Sequence, residues 1–208
     1  MVAFLKIAQN RRSVRDFKAK KPSDNDIFYL LETARWAPSA NNLQPWRFIV
    51  IRDKDNKKKI AKAAYDQAWI EKAPVLILVC SLSGLVERQF PKTGNSLAKQ
   101  SVAAAIENIH LAAGDKGMAT CWVAIPAIGR LKSGFDLPDG VEVHGAVAVG
   151  YPRRIGRTPS KIPLADLVFF EEWDNLDLDY TKSSVGEMSK PLLEKKPIKK
   201  IRSKLKGK

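Results

Sequence analysis

The sequence predicts a three-layer domain of the α/β or α+β class, and three observations carry that prediction. Helical and extended segments alternate along the chain. About four strand candidates are present, and one of them, "PVLILVCS", is apolar without alternation, which requires cover on both faces. The length of 208 residues suits one globular domain, or a domain with an appendage.

The elements follow in order. "FLKIAQN" reads as a short amphipathic helix, with "RRSVRDF" after it. Ser23, with Asp26 three residues later, resembles a capping box that opens a helix. Its apolar positions Ile27, Leu30, Leu31 and Ala34 recur at helical spacing, and Pro38 ends it near Trp36. "WRFIVIRD" is the first core strand. "NKKKIAKAAYDQAWIEKA" reads as one helix with lysines outside, and "PVLILVCS" as the second strand. "LVERQFPKTGN" reads as a loop that could act as a lid. The Ala-rich "SLAKQSVAAAIENIHLAAGDKG" is the strongest helix signal, ending at Gly114 and Gly117; its small residues suit a central helix. "MATCWVAI" is the third strand, "PAIGRLKSGF" a short helix, "DLPDG" a turn and "VEVHGAVAVGYP" the fourth strand. The late apolar stretch "PLADLVFFEEW" has no evident partner within the domain and reads as an arm that packs on another subunit.

Composition sets limits on function. Cys80 and Cys121 sit inside apolar runs and read as buried, unpaired thiols. His110 and His144 lack partners at ligand spacing, so no histidine metal site is expected. No apolar run approaches membrane-spanning length, and the N-terminus lacks a signal-peptide core, so a cytoplasmic protein is expected. The formal charge is +14, but residues 190–208 hold nine Lys/Arg against one Glu. Most of the excess is therefore a Lys-rich tail that reads as solvated and partly disordered, with a weak hold on RNA or anionic membrane as the minority reading. No Gly-rich dinucleotide fingerprint, nucleophile elbow or P-loop is present.

Two polar constellations remain. Arg11, Arg12, Ser13 and Arg15 place three guanidinium groups and a hydroxyl within five residues; in an extended segment Arg11, Ser13 and Arg15 project to one side. Such a cluster suits phosphate oxygens, and its plain alternative is a solvated basic turn. Ser39, Asn41, Asn42 and Gln44 offer donors and acceptors on a short connection into the core. That mixture suits a planar heterocycle with alternating carbonyl and N–H groups, such as a flavin; the alternative is a loop that caps its own helix.

"RRSVRDF", followed by "ARWAPSANNLQPWRFIVI", closely resembles the FMN-dependent nitroreductase family. "APVLILVCS", "NIHLAAGDKGMATCWV", "VAVGYP" and "SKIPLADLVFFEEW" then follow in family order, so the resemblance covers about residues 4–173. It implies an α+β nitroreductase-like fold, three layers around a mixed, mostly antiparallel sheet, in a homodimer with an exchanged C-terminal arm. The implied domain is residues 1–173, with 158–173 the arm and 174–208 a charged extension. It further implies FMN in the dimer interface, with the phosphate near Arg11, Arg12, Ser13 and Arg15. Pro38, Ser39, Asn42 and Gln44 would reach the flavin from the partner subunit. Gln67 would offer a polar contact, and Trp122 and Val123 would run beside the ring. Some bacterial members carry Glu where Ala124 aligns here. Lys161 is the implied additional phosphate ligand, with Arg153 and Arg157 as alternatives in an ambiguous register. The implied reaction passes two electrons from NAD(P)H through flavin to a nitroaromatic, quinone or similar acceptor. Fragmentation of reduced flavin or dehalogenation is the alternative within the family, and a binding module docked through its basic tail the alternative outside it.

Overall fold

The computed structural model describes residues 3–175. The chain divides into two compact units, Met1–Thr158 and Pro159–Lys208. Beyond residue 175, the expected charged extension and its basic tail lie outside the described residues.

The first unit opens with α1 (Ala3–Asn10) and then an extended run through Phe17. Helix α2 (Asp24–Arg35) begins at the expected capping box: Ser23 Oγ accepts from the Asp26 N–H, and the Asp26 carboxylate accepts from the Ser23 N–H. It ends with Trp36 as its C-cap, two residues before Pro38. A single 3-10 turn (Ala40–Asn42) leads into β1 (Trp46–Ile51). The expected helix over 56–73 is two helices, α3 (Lys54–Ala63) and α4 (Ala68–Lys72). Tyr65 and Asp66 break it, standing in the left-handed region at φ 60° and 54°. Strand β2 (Val75–Leu82) runs straight into α5 (Ser83–Gln89), so most of the predicted lid loop is helical. Local propensity hid this helix: "SGLVERQF" has no N-cap hydrogen bond, and packing against the next helix stabilises it instead. Helix α6 (Gly94–Asp115) starts at a glycine because a Cβ there would lie 2.5 Å from Glu87 Cα in α5. Strand β3 (Ala119–Val123), helix α7 (Ile128–Gly134) and strand β4 (Val141–Gly150) complete the unit.

The strands pair in the order β1-β2-β4-β3, antiparallel throughout. A parallel bridge, Ser13 with Thr120, adds the extended N-terminal run to the free edge of β3. Alternation along β2 builds two cores. Leu76, Leu78 and Cys80 face α3, α4 and α7, with Val14 and Phe17 closing that side. Val75, Ile77 and Val79 face α2 and α6. Burying an aliphatic side chain on either face contributes roughly 1.5–3 kcal/mol, so a sheet covered on both sides needs the unbroken apolar run seen in β2.

In the second unit Pro163 precedes a 3-10 turn (Leu164–Asp166), and the rings of Phe169 and Trp173 pack 4.9 Å apart. Leu164, Leu167 and Trp173 are exposed. Among the described residues, no helix is long and apolar enough to cross a membrane.

Candidate functional site

The edge of β3 gathers the first constellation. The Val14 N–H donates to the Thr120 carbonyl at 3.0 Å, which fixes the run as an added strand. Val14 then points into the core, and Arg11, Ser13 and Arg15 take the other side. All three come close enough to Cys121, which shares the core with Val14, to act on its thiol. Burial pushes its thiol above the ordinary range, while Arg15, Arg11 and the Ser13 hydroxyl pull the other way. The Arg15 guanidinium lies 5.7 Å from the centroid of the Trp69 ring. Trp69 Nε1 in turn donates to the Gln67 side chain at 3.0 Å, and Gln67 Nε2 donates to the Ala64 carbonyl at 2.9 Å. Gln67 is thus tied to the same cluster as the arginines, through Trp69. Among the described residues, the acid paired with these arginines is Glu107, 3.9 Å from Arg11 Nε, too far for a hydrogen bond.

Arg12 does not join this group. Its Nη1 donates to the carbonyls of Gln9 and Arg11, both at 2.7 Å, and its Nη2 donates to Thr158 Oγ1. The expected convergence of three guanidinium groups is therefore a convergence of two, because neighbouring residues of an extended run face opposite ways. Of the alternatives at the end of β4, Arg153 is drawn to the same segment. Its N–H donates to the Asp16 carbonyl at 3.1 Å and its guanidinium pairs with the Asp16 carboxylate at 3.3 Å. Arg157 is exposed in the first unit, and Lys161 is exposed in the second.

On β3, Trp122 alternates to the α6 face and is 44% exposed. Its indole lies across Gly145 of β4 and donates to the His144 carbonyl at 3.3 Å. Gly145 makes this possible: at φ 132° a Cβ would sit 2.7 Å from the indole nitrogen and 2.6 Å from the Val123 carbonyl oxygen. Val123 is buried on the opposite face from Trp122. Beneath the edge, His110 of α6 shares a 2.5 Å hydrogen bond with the Thr120 hydroxyl. Burial, followed by the Arg11 charge, drives the His110 pKa down to about 4.

The second constellation is arranged differently. Asn41, Asn42 and Gln44 all adopt positive φ, at 46°, 56° and 47°. Ser39 Oγ accepts from the Gln44 N–H at 3.0 Å, Gln44 Nε2 donates to the Asn42 carbonyl at 3.0 Å, and Asn41 donates to Gln89 at 3.1 Å. Part of the loop's polarity is thus satisfied by its own turn and by α5. Pro38 and Asn42 are exposed, and Ser39 and Gln44 partly so. Among the described residues this loop makes no hydrogen bond, ion pair or ring contact with Arg11–Arg15.

Sequence reasoning missed three participants. Trp69 and Cys121 looked like ordinary core residues, and Thr158 lay in a register-ambiguous basic stretch. No local signal marks them; only pairing at the edge of β3 brings Trp69 and Cys121 to the arginines.

The first unit is thus a three-layer α+β domain whose sheet edge carries Arg11, Ser13 and Arg15. Comparison with known proteins narrows the class: the model of the nitroreductase family matches residues 8–72 and 64–151. The chain belongs to the nitroreductase family. It is 35% identical over 153 residues to an Archaeoglobus fulgidus protein named provisionally as an NADH dehydrogenase/NAD(P)H nitroreductase, covering 72% of this chain and 85% of that one. It is 26% identical to a Thermotoga neapolitana iodotyrosine deiodinase, covering 70% and 87%. Its fold superposes with TM-score 0.73 on a provisionally named Desulfovibrio desulfuricans nitroreductase solved with FMN, at 28% identity, covering 83% of this chain and 99% of that one.

Proposed function

We propose that this protein is an FMN-dependent oxidoreductase that takes electrons from NAD(P)H and reduces a nitroaromatic, a quinone or a similar acceptor. The observation that carries the reading is the cradle on β3: two guanidinium groups and a hydroxyl on one side of an extended segment, with one distant acid. Such a set fits a phosphate monoester, whose charge relieves the repulsion between the cations. Family membership and the FMN in a solved relative support the same cofactor.

Arg11, Ser13 and Arg15 would hold the phosphate. Lys161, Arg153 or Arg157 would add a cation, and Arg153, already beside Asp16, is the best supported of the three. Pro38, Ser39, Asn42 and Gln44 of a second copy would line the ring and ribityl chain. Gln67 and the backbone of Trp122–Val123 would complete the site. When bound, FMN supplies the two-electron chemistry between nicotinamide and acceptor. The chain's own part is to fix one face, exclude water and place positive charge near the site. Arg15, stacked on Trp69, supplies fixed charge, and Gln67 is held by two hydrogen bonds rather than free to rotate.

The shared site implies a homodimer. Phe4, Phe28 and Trp36 are 65%, 67% and 74% exposed on α1 and at α2, a face expected to be covered. The exposed apolar arm after Pro163 supports the same assembly. The test is a visible spectrum of the purified protein, followed by anaerobic NADH and NADPH. Bleaching of a flavin band and turnover of a quinone are expected. A colourless protein that takes up no added FMN overturns the reading. The similarity to a deiodinase supports reductive dehalogenation as a second activity, read by iodide release from iodotyrosine under reducing conditions.

A further inference from the structure

We propose that the outer face of α3, continued by the ring of Tyr65, is a docking surface for single-stranded nucleic acid. Five of the ten residues of α3 are lysines and one, Asp55, is acidic, so the helix carries its own excess of positive charge. Ile60, Ala61 and Ala63 turn inward, into the core that also holds Leu76 and Leu78. Lys54, Lys58 and Lys62 follow at four-residue spacing and are all exposed, which lines them up as one stripe on the solvent side.

The stripe lacks counter-charge. Like charges one turn apart destabilise a helix, and among the described residues no ion pair joins any of the three to an acid. Asp53 is already engaged as the N-cap, accepting from the Asn56 N–H at 2.9 Å. On the flank, Lys57 Nζ donates to the Ala73 carbonyl at 3.0 Å. Burial, followed by the charge of Lys21 from the run ahead of α2, lowers the Lys57 pKa. Cations from two segments therefore crowd this side of the unit, and a polyanion relieves them.

Tyr65 supplies what a surface for phosphate alone lacks. Its side chain is 78% exposed, and its backbone stands at φ 60°, with Asp66 at 54°. Bulky residues seldom adopt this conformation, which persists only where the surroundings fix it. Here Ala64 is buried on one side, and Gln67 on the other donates back to the Ala64 carbonyl. The ring is thus held out on a fixed bend at the end of the lysine stripe. A flat aromatic face beside a line of cations suits a splayed base, with its phosphates on the lysines. Stacking needs an unpaired base, which favours a single strand over a duplex. Successive lysines stand about 6 Å apart along the helix axis, comparable with the step between phosphates of an extended strand. Among the described residues no large apolar side chain is exposed on α3, so the helix has nothing to insert into a lipid surface. The surface covers the opposite side of the sheet from α2 and α6, and none of its four residues is assigned to the flavin.

The probe is a labelled oligothymidylate of about 15 nucleotides, mixed with the full-length protein and read by fluorescence anisotropy at several salt concentrations. Saturable binding that weakens with salt is expected. Lys54→Gln with Lys58→Gln and Lys62→Gln keeps good helix formers but removes three phosphate contacts. The slope of log affinity against log salt should become shallower by about 2, and affinity at about 50 mM salt should fall about tenfold or more. Tyr65→Ala should weaken binding about tenfold with an unchanged slope, because stacking releases no counterions, and Tyr65→Phe should bind like the parent. An unaltered slope in the triple variant would assign any binding to other cations, those of residues 190–208 included, and overturns the proposal. So does full affinity in Tyr65→Ala, tighter binding of a duplex of the same length, or retention of phosphatidylserine vesicles without saturable binding of the oligonucleotide. FMN affinity of every variant should match the parent, so failure of the proposed oxidoreductase reading and failure of this surface are separate results.

Discussion

The segment Arg11–Arg15 and the loop Pro38–Gln44 carry most of the polar residues of the candidate site, and they are built in opposite ways. The segment has ordinary extended backbone, bonded to β3, and its cost is charge: among the described residues, Arg11 and Arg15 have no acid in hydrogen-bonding range. The loop is almost charge-free, and its cost is backbone strain: three non-glycine residues stand in the left-handed region. Each such residue costs on the order of 1 kcal/mol and persists only where its surroundings fix it. Unpaired charge is relieved by a ligand, whereas strain is retained to aim side chains. The first region should therefore govern affinity, and the second the stability of a preformed shape.

The largest effect expected from this contrast is on binding. Arg11→Ala with Arg15→Ala removes two charge-assisted contacts of roughly 1.5–3 kcal/mol each, so FMN affinity should fall by about 10²–10⁴-fold. Urea stability should stay within about 1 kcal/mol, because the lost partners were already exposed or half-exposed. Unchanged affinity, measured by quenching of FMN fluorescence, would remove the anchor of the whole functional reading.

The next effect tests what supports the charged segment from below. His110 is buried neutral, and its pKa is lowered to about 4 from an ordinary value near 6.5. The unfolded chain therefore binds the proton first, so stability is fully present above about pH 6.5 and is lost as pH falls toward 4. The loss should be about 3 kcal/mol across that window. His110→Gln should flatten that part of the profile in urea melts taken at several pH values. A parallel slope in the variant would assign the acid sensitivity to other groups.

Gly145 sharpens the comparison at the same edge. Gly145→Ala forces a Cβ against the Val123 carbonyl and the Trp122 indole, at a φ that alanine avoids. A loss of about 2–3 kcal/mol is expected, with a shift in tryptophan emission as the indole leaves its notch. A variant as stable as the parent would show that β4 can move away at little cost.

The two regions were not equally legible in the sequence. Charge is visible in a string of letters, so "RRSVRDF" stood out, and the alternation that puts Arg11, Ser13 and Arg15 together follows from an extended run. The capping box at Ser23 and the apolar run of β2 were readable for the same reason, since their causes are local. The divergence of Arg12 was implicit in that alternation but needed Thr158, 146 residues away, to be seen. Breaks that depend on φ were hidden. Tyr65 and Asp66 look helical by composition, yet tertiary packing holds them left-handed and splits the helix. Helix α5 was hidden too, because its cause is contact with α6 rather than propensity. The loop's internal hydrogen bonds were obscured by the very polarity that made it look like a ligand site.

The smallest expected effect isolates the strain itself. Asn41 sits at φ 46°, and its exposed side chain is bonded, among the described residues, to the exposed Gln89. Asparagine tolerates this conformation better than most residues, and glycine adopts it freely. Asn41→Gly should therefore leave stability within about 0.5 kcal/mol, as relief of strain offsets the greater freedom of the unfolded chain. Asn41→Ala has neither advantage and should lose about 1 kcal/mol. The difference between these two variants, read as urea midpoints with an unchanged slope, measures the strain with little contribution from the side chain. If alanine and glycine prove equal, the loop relaxes out of the left-handed region without cost. Strain would then no longer distinguish it from the arginine segment.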